Sequence, residues 1–321
     1  MKNILFLFLF TSPVLLGQGS YAPNADSPNT TAMHKDSSAF IMWADDCVVT
    51  KGYQNILDPS LGFATVGTNQ SAVGIAGDND VVSLGDGGNA VLTFTYQIIN
   101  GVGPDFAIFE NSFNNTFLEL AFVEVSSNGV DFVRFPSHSQ TPFTTQIGGF
   151  DNLDATNIHN LAGKYRARYG TPFDLEDLVD SANVDINNVT HIKIIDVVGV
   201  INSQESSLDN YGNQINDPFP TPYASSGFDL DGVGVIHMFV DVPVQEEFIV
   251  ALYPNPSNGV FKLTFLDYDK KHLVLYSASG QEIQNFYTND TEVNFNAIPK
   301  GFYFLKLQKQ NKEQLLKVIV H

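Results

Sequence analysis

The sequence predicts an all-β chain, a jelly-roll-like β-sandwich followed by a small immunoglobulin-like β-sandwich, and three observations predict it. Short runs rich in Val, Ile, Phe and Tyr recur along the chain, many alternating apolar with polar residues. Turn signals separate them: Gly85-Asp-Gly-Gly88, Ser127-Asn-Gly129, Ser257-Asn-Gly259 and Pro299-Lys-Gly301. Helical patterning is sparse. Its best stretch is Pro172–Ala182, where Thr171 can cap and Asp174, Glu176 and Asp177 suit a positive helix N-terminus.

Taken in order, the chain opens with Lys2 and an apolar run from Ile4 to Leu16, interrupted only by Thr11, Ser12 and Pro13. That is a secretory signal peptide over residues 1–22, with cleavage expected near Gly17 or Ala22. The run falls short of the ~20 apolar residues that span a bilayer, and no later segment predicts a transmembrane helix. Residues 23–38, rich in Ser, Thr, Asn and Pro, read as a flexible lead-in.

The large sandwich is expected over residues 39–243. Val81–Leu84 and Ala90–Tyr96 are its first strands, and Phe106–Phe109 is a short apolar one. Leu118–Ser126 and Val130–Phe135 flank Asn128-Gly129, a strong hairpin signal. His191–Val200 and Val233–Val242 are rich in Val and Ile, as central strands are. Residues 244–251 are a linker. Beyond it, Phe261, Leu263 and Phe265 alternate with Lys262 and Thr264, and Leu273–Tyr276, Phe302–Leu307 and Leu315–Val320 are further strands of the second sandwich, residues 252–321.

Charge divides the chain at the same place. Residues 250–321 hold eight Lys and six acids, a balance of +2; the rest holds 29 acids and eight basic residues, a balance of −21. Nucleic-acid binding is excluded, because phosphate contacts need clustered Lys and Arg. Cys47 is the only cysteine, so no intrachain disulfide forms. Asp45 and Asp46 beside it raise its thiol pKa, which makes it a buried structural residue and not a nucleophile. Trp43, the one tryptophan, is expected in the core.

The tail carries a resemblance. Leu252-Tyr-Pro-Asn-Pro-Ser-Asn-Gly259, Val260-Phe-Lys-Leu-Thr-Phe265, Leu273-Val-Leu-Tyr-Ser-Ala-Ser-Gly-Gln-Glu-Ile283, Pro299-Lys-Gly-Phe-Tyr-Phe-Leu-Lys-Leu307 and Lys317-Val-Ile-Val-His321 follow one another in a family's order. Together they resemble the C-terminal sorting domain of the type IX secretion system of Bacteroidota. The resemblance implies export across the outer membrane by that machinery, to the cell surface or the medium. In the larger unit, Val81–Gly88, Asn100–Asn111, Leu120–Gly129, Phe132–Pro136, Ala162–Arg166, Gly170–Leu175, Ile194–Gly199 and Gly227–Gly234 resemble a family of secreted bacterial cell-surface proteins of unestablished role. That likeness runs from about Phe40 to Val240.

Two constellations are candidates for a site. Acids stand in loops at strand ends, among them Asp78, Asp80, Asp86, Glu119 and Asp196. Ca²⁺ takes six to eight oxygens from carboxylates, amides and carbonyls, and Asp105, Glu110, Asn111, Asp229 and Asp231 are the expected structural ligands. Asp229-Leu-Asp231 would project two carboxylates from one strand face, about 7 Å apart. Alternatively these acids satisfy backbone donors in tight loops. Scarce cations also cluster with aromatics: Tyr165, Arg166, Arg168, Tyr169 and Tyr223 suit a glycan or an acidic small ligand, unless the arginines are ion-paired within the domain.

Catalytic motifs are missing. There is no Gly-x-Ser-x-Gly elbow, His-Glu-x-x-His or Walker loop, and the seven histidines are dispersed. A non-enzymatic surface binding protein is therefore expected. The alternatives are a carbohydrate-active hydrolase, with Glu110 and Glu119 as its carboxylates, and a structural surface component or adhesin.

Overall fold

The computed structural model describes residues 20–78, 80–239, 251–310 and 312–321. Residues 1–19 of the expected signal peptide and most of the expected linker lie outside the described residues. The chain divides into two compact units, Met1–Val240 and Asp241–His321.

In the first unit the strands are β1 (Met33–His34), β2 (Met42–Trp43), β3 (Asp46–Thr50), β4 (Val82–Ser83), β5 (Asn89–Ile98), β6 (Phe106–Glu110), β7 (Ala121–Ser126), β8 (Val133–Arg134), β9 (His138–Ser139), β10 (Ile158–His159), β11 (Tyr169–Phe173), β12 (Val189–Asp196) and β13 (Asp229–Val235). One sheet runs β1-β11-β6-β13-β2, with β4 also on β13; a second runs β3-β5-β12-β7-β8, and β10 and β9 pair as a two-stranded ladder. All these pairings are antiparallel, and Ile192 and Ile194 sit between Leu92 and Ala90 on one side and Val125 and Val123 on the other. Those side chains and Phe106, Ile108, Val233 and Val235 from the facing sheet form one core. Cys47 is buried in it, its thiol pushed up to about 12 by burial and then by Asp46.

Two expectations change. The stretch expected as a helix begins as strand β11, whose Pro172 lies opposite Ala107. Asp174 then caps a single 3-10 turn, Leu175–Leu178, by accepting from the Glu176 N–H at 3.0 Å. The lead-in, expected to be flexible, is fastened as a strap. Ala25 is buried, Asp26 pairs with Arg166, Thr31 Oγ1 and Tyr165 Oη are 2.7 Å apart, and β1 adds an edge strand to β11.

In the second unit β14 (Ala251–Tyr253), β15 (Phe261–Thr264) and β18 (Glu292–Phe295) form one sheet. The other orders β17 (Glu282–Thr288), β16 (Lys271–Ser277), β19 (Gly301–Lys309) and β20 (Lys312–Val320). Phe261, Leu263, Leu273, Leu275, Phe295, Leu305, Leu307 and Val318 close its core, Phe261 and Leu263 being the inward half of the alternation read from the sequence.

Candidate functional site

Antiparallel register brings one end of the large sandwich together. β12 ends at Asp196 beside the start of β7, and Ile195 lies opposite Asn89 at the start of β5. In the facing sheet β6 ends at Glu110, opposite Leu230 at the start of β13. Asp86, Glu119 and Asp217 come from loops at that end, and all six carboxylates, Asp229 included, are buried or nearly so.

Most of them accept backbone N–H groups. Asp196 takes Phe228 N at 2.7 Å and Gly87 N at 3.0 Å; Asp217 takes Leu120 N at 3.1 Å; Glu110 takes Ser112 N and Asp86 takes Ile56 N, each at 2.8 Å. Asp229 accepts the Ser83 hydroxyl. The other oxygen of Asp217, Oδ1, is buried without a hydrogen-bond partner. Gly163, with φ +81°, lets its loop pass Glu119: a Cβ there would stand 1.8 Å from the Glu119 carbonyl oxygen.

So many carboxylates in a dry setting resist ionisation. Burial first, then the charges of Glu110, Asp229, Asp217 and Asp196, raises Glu119 well above the ordinary range. Burial likewise raises Glu110, Asp196 and Asp217 well above it. Asp86 and Asp229 are pushed up to about 6 by burial, hydrogen bonds to Ile56 and Ser83 opposing. Lys51, which donates to the Val66 and Ser83 carbonyls, is lowered by burial and raised in turn by Asp229.

Over this end the loops carry aromatic rings. Phe113 and Phe117, between β6 and β7, stack with centroids 4.9 Å apart; Phe117 and Phe150 follow at 6.1 Å, and Phe150 and Tyr223 at 5.6 Å. Phe113 is 77 % exposed, Phe150 67 % and Tyr223 49 %. The loops are tied beneath the rings. Leu153 N donates to Thr116 O at 2.7 Å, Phe219 N to Ile147 O at 3.0 Å, and Asn216 Nδ2 to the Pro142 and Thr145 carbonyls at 2.7 Å.

The five residues expected to bind Ca²⁺ are not brought together. Asp105 precedes β6 while Glu110 ends it, about 17 Å away by strand rise. Its carboxylate meets the Gly101 N–H at 2.7 Å, the Leu175 N–H at 2.7 Å and His237 Nδ1 at 2.7 Å. Asp229 and Asp231 do not share a face, because register slips between Leu230 and Gly232 and leaves Asp231 as the extra residue of a bulge. Asp231 instead accepts the Gly77 N–H with both oxygens, at 2.8 and 3.0 Å, and burial pushes it up to about 6. Asn111 follows Glu110 and supports it with a backbone hydrogen bond. Among the described residues no three Asp, Glu, His or Cys side chains gather closely enough to hold a metal ion. The donor set does not fit a single Ca²⁺ centre.

The Arg–Tyr group is largely occupied by the strap. Tyr165 is buried against Thr31. Arg166 grips Asp26 through Nη2 at 2.9 Å and Nε at 3.1 Å, which holds that carboxyl down at about 2, and lies 4.5 Å from the centre of the Tyr169 ring. Tyr169 also meets His34 edge-on, and Arg168, at φ +72°, accepts the Lys35 N–H on its carbonyl. Tyr223 stands elsewhere, in the aromatic run. Phe113, Phe117, Phe150 and Asp217 were not singled out from sequence. The available signal was apolar rings inside polar loops, in Asn111-Ser-Phe-Asn-Asn-Thr-Phe117 and Gly148-Gly-Phe-Asp151.

No curated protein matches the chain. Among solved structures it is similar to the β-glucuronidase from Ruminococcus gnavus in complex with N1-substituted uronic isofagomine, with 11 % identity, 94 % of this chain and 48 % of that one covered, and a TM-score of 0.20. The same enzyme with C6-substituted uronic isofagomine gives 9 %, 94 %, 47 % and 0.22. The chain thus spans about half the length of these enzymes, and TM-scores this low do not amount to a shared fold. At the C-terminus, residues 251–321 match the family "Secretion system C-terminal sorting domain". With seven strands in two sheets over one core among its described residues, the second unit of this chain is a type IX secretion C-terminal sorting domain.

Proposed function

We propose that the first unit is a non-enzymatic binding protein, taking a glycan or similar small ligand at the loop end of its sandwich. The signal peptide in residues 1–22 carries it to the periplasm, and the sorting domain takes it on to the cell surface or the medium. The supporting observation is the unbroken run of ring contacts Phe113–Phe117–Phe150–Tyr223 across three loops, with three of its members largely open to water. Each exposed ring forgoes burial worth about 2 kcal/mol, and apolar surface gathered in one place marks a contact site. Rings offer apolar faces to the C–H side of a sugar, while the neighbouring loop amides and hydroxyls supply polar contacts.

A glycan array with the purified exported chain tests this reading. Saturable binding is expected, weakened at least tenfold in Phe150→Ala and in Tyr223→Ala without loss of fold. Absence of binding to any glycan, or binding untouched by both substitutions, refutes it.

The second reading is a hydrolase, favoured by the raised Glu110 and Glu119, since a general acid needs its proton near neutral pH. Their burial, at 2 % and 8 % exposure, weighs against it, because the acid must come within about 3 Å of the glycosidic oxygen. Release of reducing ends from a polysaccharide, lost in Glu119→Gln, would replace the binding proposal with this one.

A further inference from the structure

We infer that the leader is cut ahead of Tyr21, so that the exported chain keeps Tyr21 as the anchor of its N-terminal strap. This rests on the signal-peptide reading of residues 1–22. Two triplets with small outer residues compete as processing sites there, Gly17-Gln-Gly19 and Ser20-Tyr-Ala22. A cut after the first leaves Ser20 at the new N-terminus; a cut after the second removes Tyr21 and leaves Pro23.

Tyr21 is built into the folded unit. Its N–H donates to Thr156 O at 3.0 Å, and its hydroxyl stands 2.6 Å from His138 Nδ1. Its ring lies parallel to that of His159, with centroids 4.7 Å apart and planes 7° from parallel, and edge-on to His138 at 5.8 Å. Lys164 Nζ is 6.0 Å from the ring centre.

His138 and His159 are directly opposite one another across β9 and β10. That ladder is two residues long on each side, too short to hold without packing. Tyr21 supplies the packing by touching both members of one cross-strand pair.

A residue discarded with a leader contributes nothing to the finished fold, whereas Tyr21 makes a backbone hydrogen bond, a side-chain hydrogen bond and two ring contacts with residues more than 110 positions away. The competing cut would also have to break the Ala22–Pro23 bond, a tertiary amide whose ring crowds the residue before it. Cutting after Gly19 needs only water: its oxygen goes to the Gly19 carbonyl carbon, which leaves as a carboxylate, and both its protons end on the Ser20 nitrogen, which becomes the new ammonium.

The test is N-terminal sequencing of the exported protein, recovered from a Bacteroidota host that has the secretion system. A first residue between Gly17 and Tyr21 is expected, with Ser20 the specific prediction. A first residue at Pro23 or beyond overturns the inference and leaves the signal-peptide reading standing. An exported chain that still begins at Met1 overturns both. A second measurement uses the same exported protein: Tyr21→Ala should lower Tm by about 2–4 °C, and Tyr21→Phe, which keeps the stacking, by less. An unchanged Tm in Tyr21→Ala refutes the anchoring role whichever terminus is found.

Discussion

Raising the pH from 5.0 to 7.5 should destabilise the first unit, and three carboxyls set the least size of the effect, because Glu110, Glu119, Asp196 and Asp217, raised well above the ordinary range, act in the same direction. Asp86, Asp229 and Asp231 are each raised by burial from 3.8 to about 6 in the folded state. The sign follows from proton binding. Between pH 3.8 and 6 the folded protein holds more protons than the unfolded chain, so stability falls as pH rises through that window and stays low above it. For one such group the penalty grows from about 1.6 kcal/mol at pH 5 to about 3 kcal/mol at pH 7.5, a loss of roughly 1.4 kcal/mol.

The three have different hydrogen-bond partners, Ile56 and Ser226, Ser83, and Gly77. Near-additivity then gives roughly 4 kcal/mol, or about 8–16 °C in Tm for a unit of this size. His159, lowered by burial, acts in the opposite direction in the same range, one group against these three and the four carboxyls raised further still. Asp26, held near 2, is already ionised throughout it.

Trp43 is the only tryptophan and lies in the first unit, so its fluorescence follows that unit alone. Thermal melts of the full chain every half pH unit give the curve. Asp231→Asn keeps an oxygen for the Gly77 N–H but cannot titrate, and should lessen the loss between pH 5.0 and 7.5 by roughly 1.4 kcal/mol. A Tm that is flat or rises from pH 5.0 to 7.5, or a variant with the parent slope, would refute the account of these carboxyls.

Two further outcomes are expected. EDTA should leave the Trp43 melt within about 1 °C, because the sequence-nominated oxygens are parted and committed to backbone donors. A rise of several degrees in millimolar Ca²⁺, reversed by EDTA, would show a cation bound to the native state. In the sorting domain, Leu305→Ala, fully buried in β19, should cost about 2–5 kcal/mol in a urea titration of that unit. Deleting residues 251–321 should leave the protein in the periplasm, and surface display of the truncated chain would sink the sorting role.

What was legible in the sequence was whatever local pattern encodes. Alternation announced Phe261, Leu263 and Phe265 as one buried face, and Asn128-Gly129 marked the turn in which Asn128 Oδ1 accepts the Val130 and Asp131 N–H groups at 2.9 Å. Acids at strand ends were legible as loop-end residues for the same reason. The strap was not, because Ser-, Thr- and Pro-rich composition looks loose until its partners are known. Asp26 finds Arg166 140 positions away, and Thr31 finds Tyr165 134 away. The same pairing explains why Arg166 looked free for a ligand. Asp229 and Asp231 were misplaced by trusting period two through a bulge. The aromatic run joins rings 33 and 73 residues apart, a spacing no window reveals.

The buried acids and the exposed rings belong to one physical arrangement. A binding surface made of loops loses affinity to ordering entropy unless the loops are already held. Here carboxylates do the holding: Glu110 fastens Ser112 at the start of the loop carrying Phe113 and Phe117, Asp217 fastens Leu120 at its end, and Asp196 joins Gly87 to Phe228, five residues beyond Tyr223. A carboxyl oxygen accepts such a hydrogen bond whether ionised or protonated, so a proton taken up in the dry interior relieves the charge without releasing the loop. That explains why acids occupy positions where burial opposes their charge. It also connects the pH dependence to function, since an acidic medium would tighten the seating of the rings that the binding proposal uses.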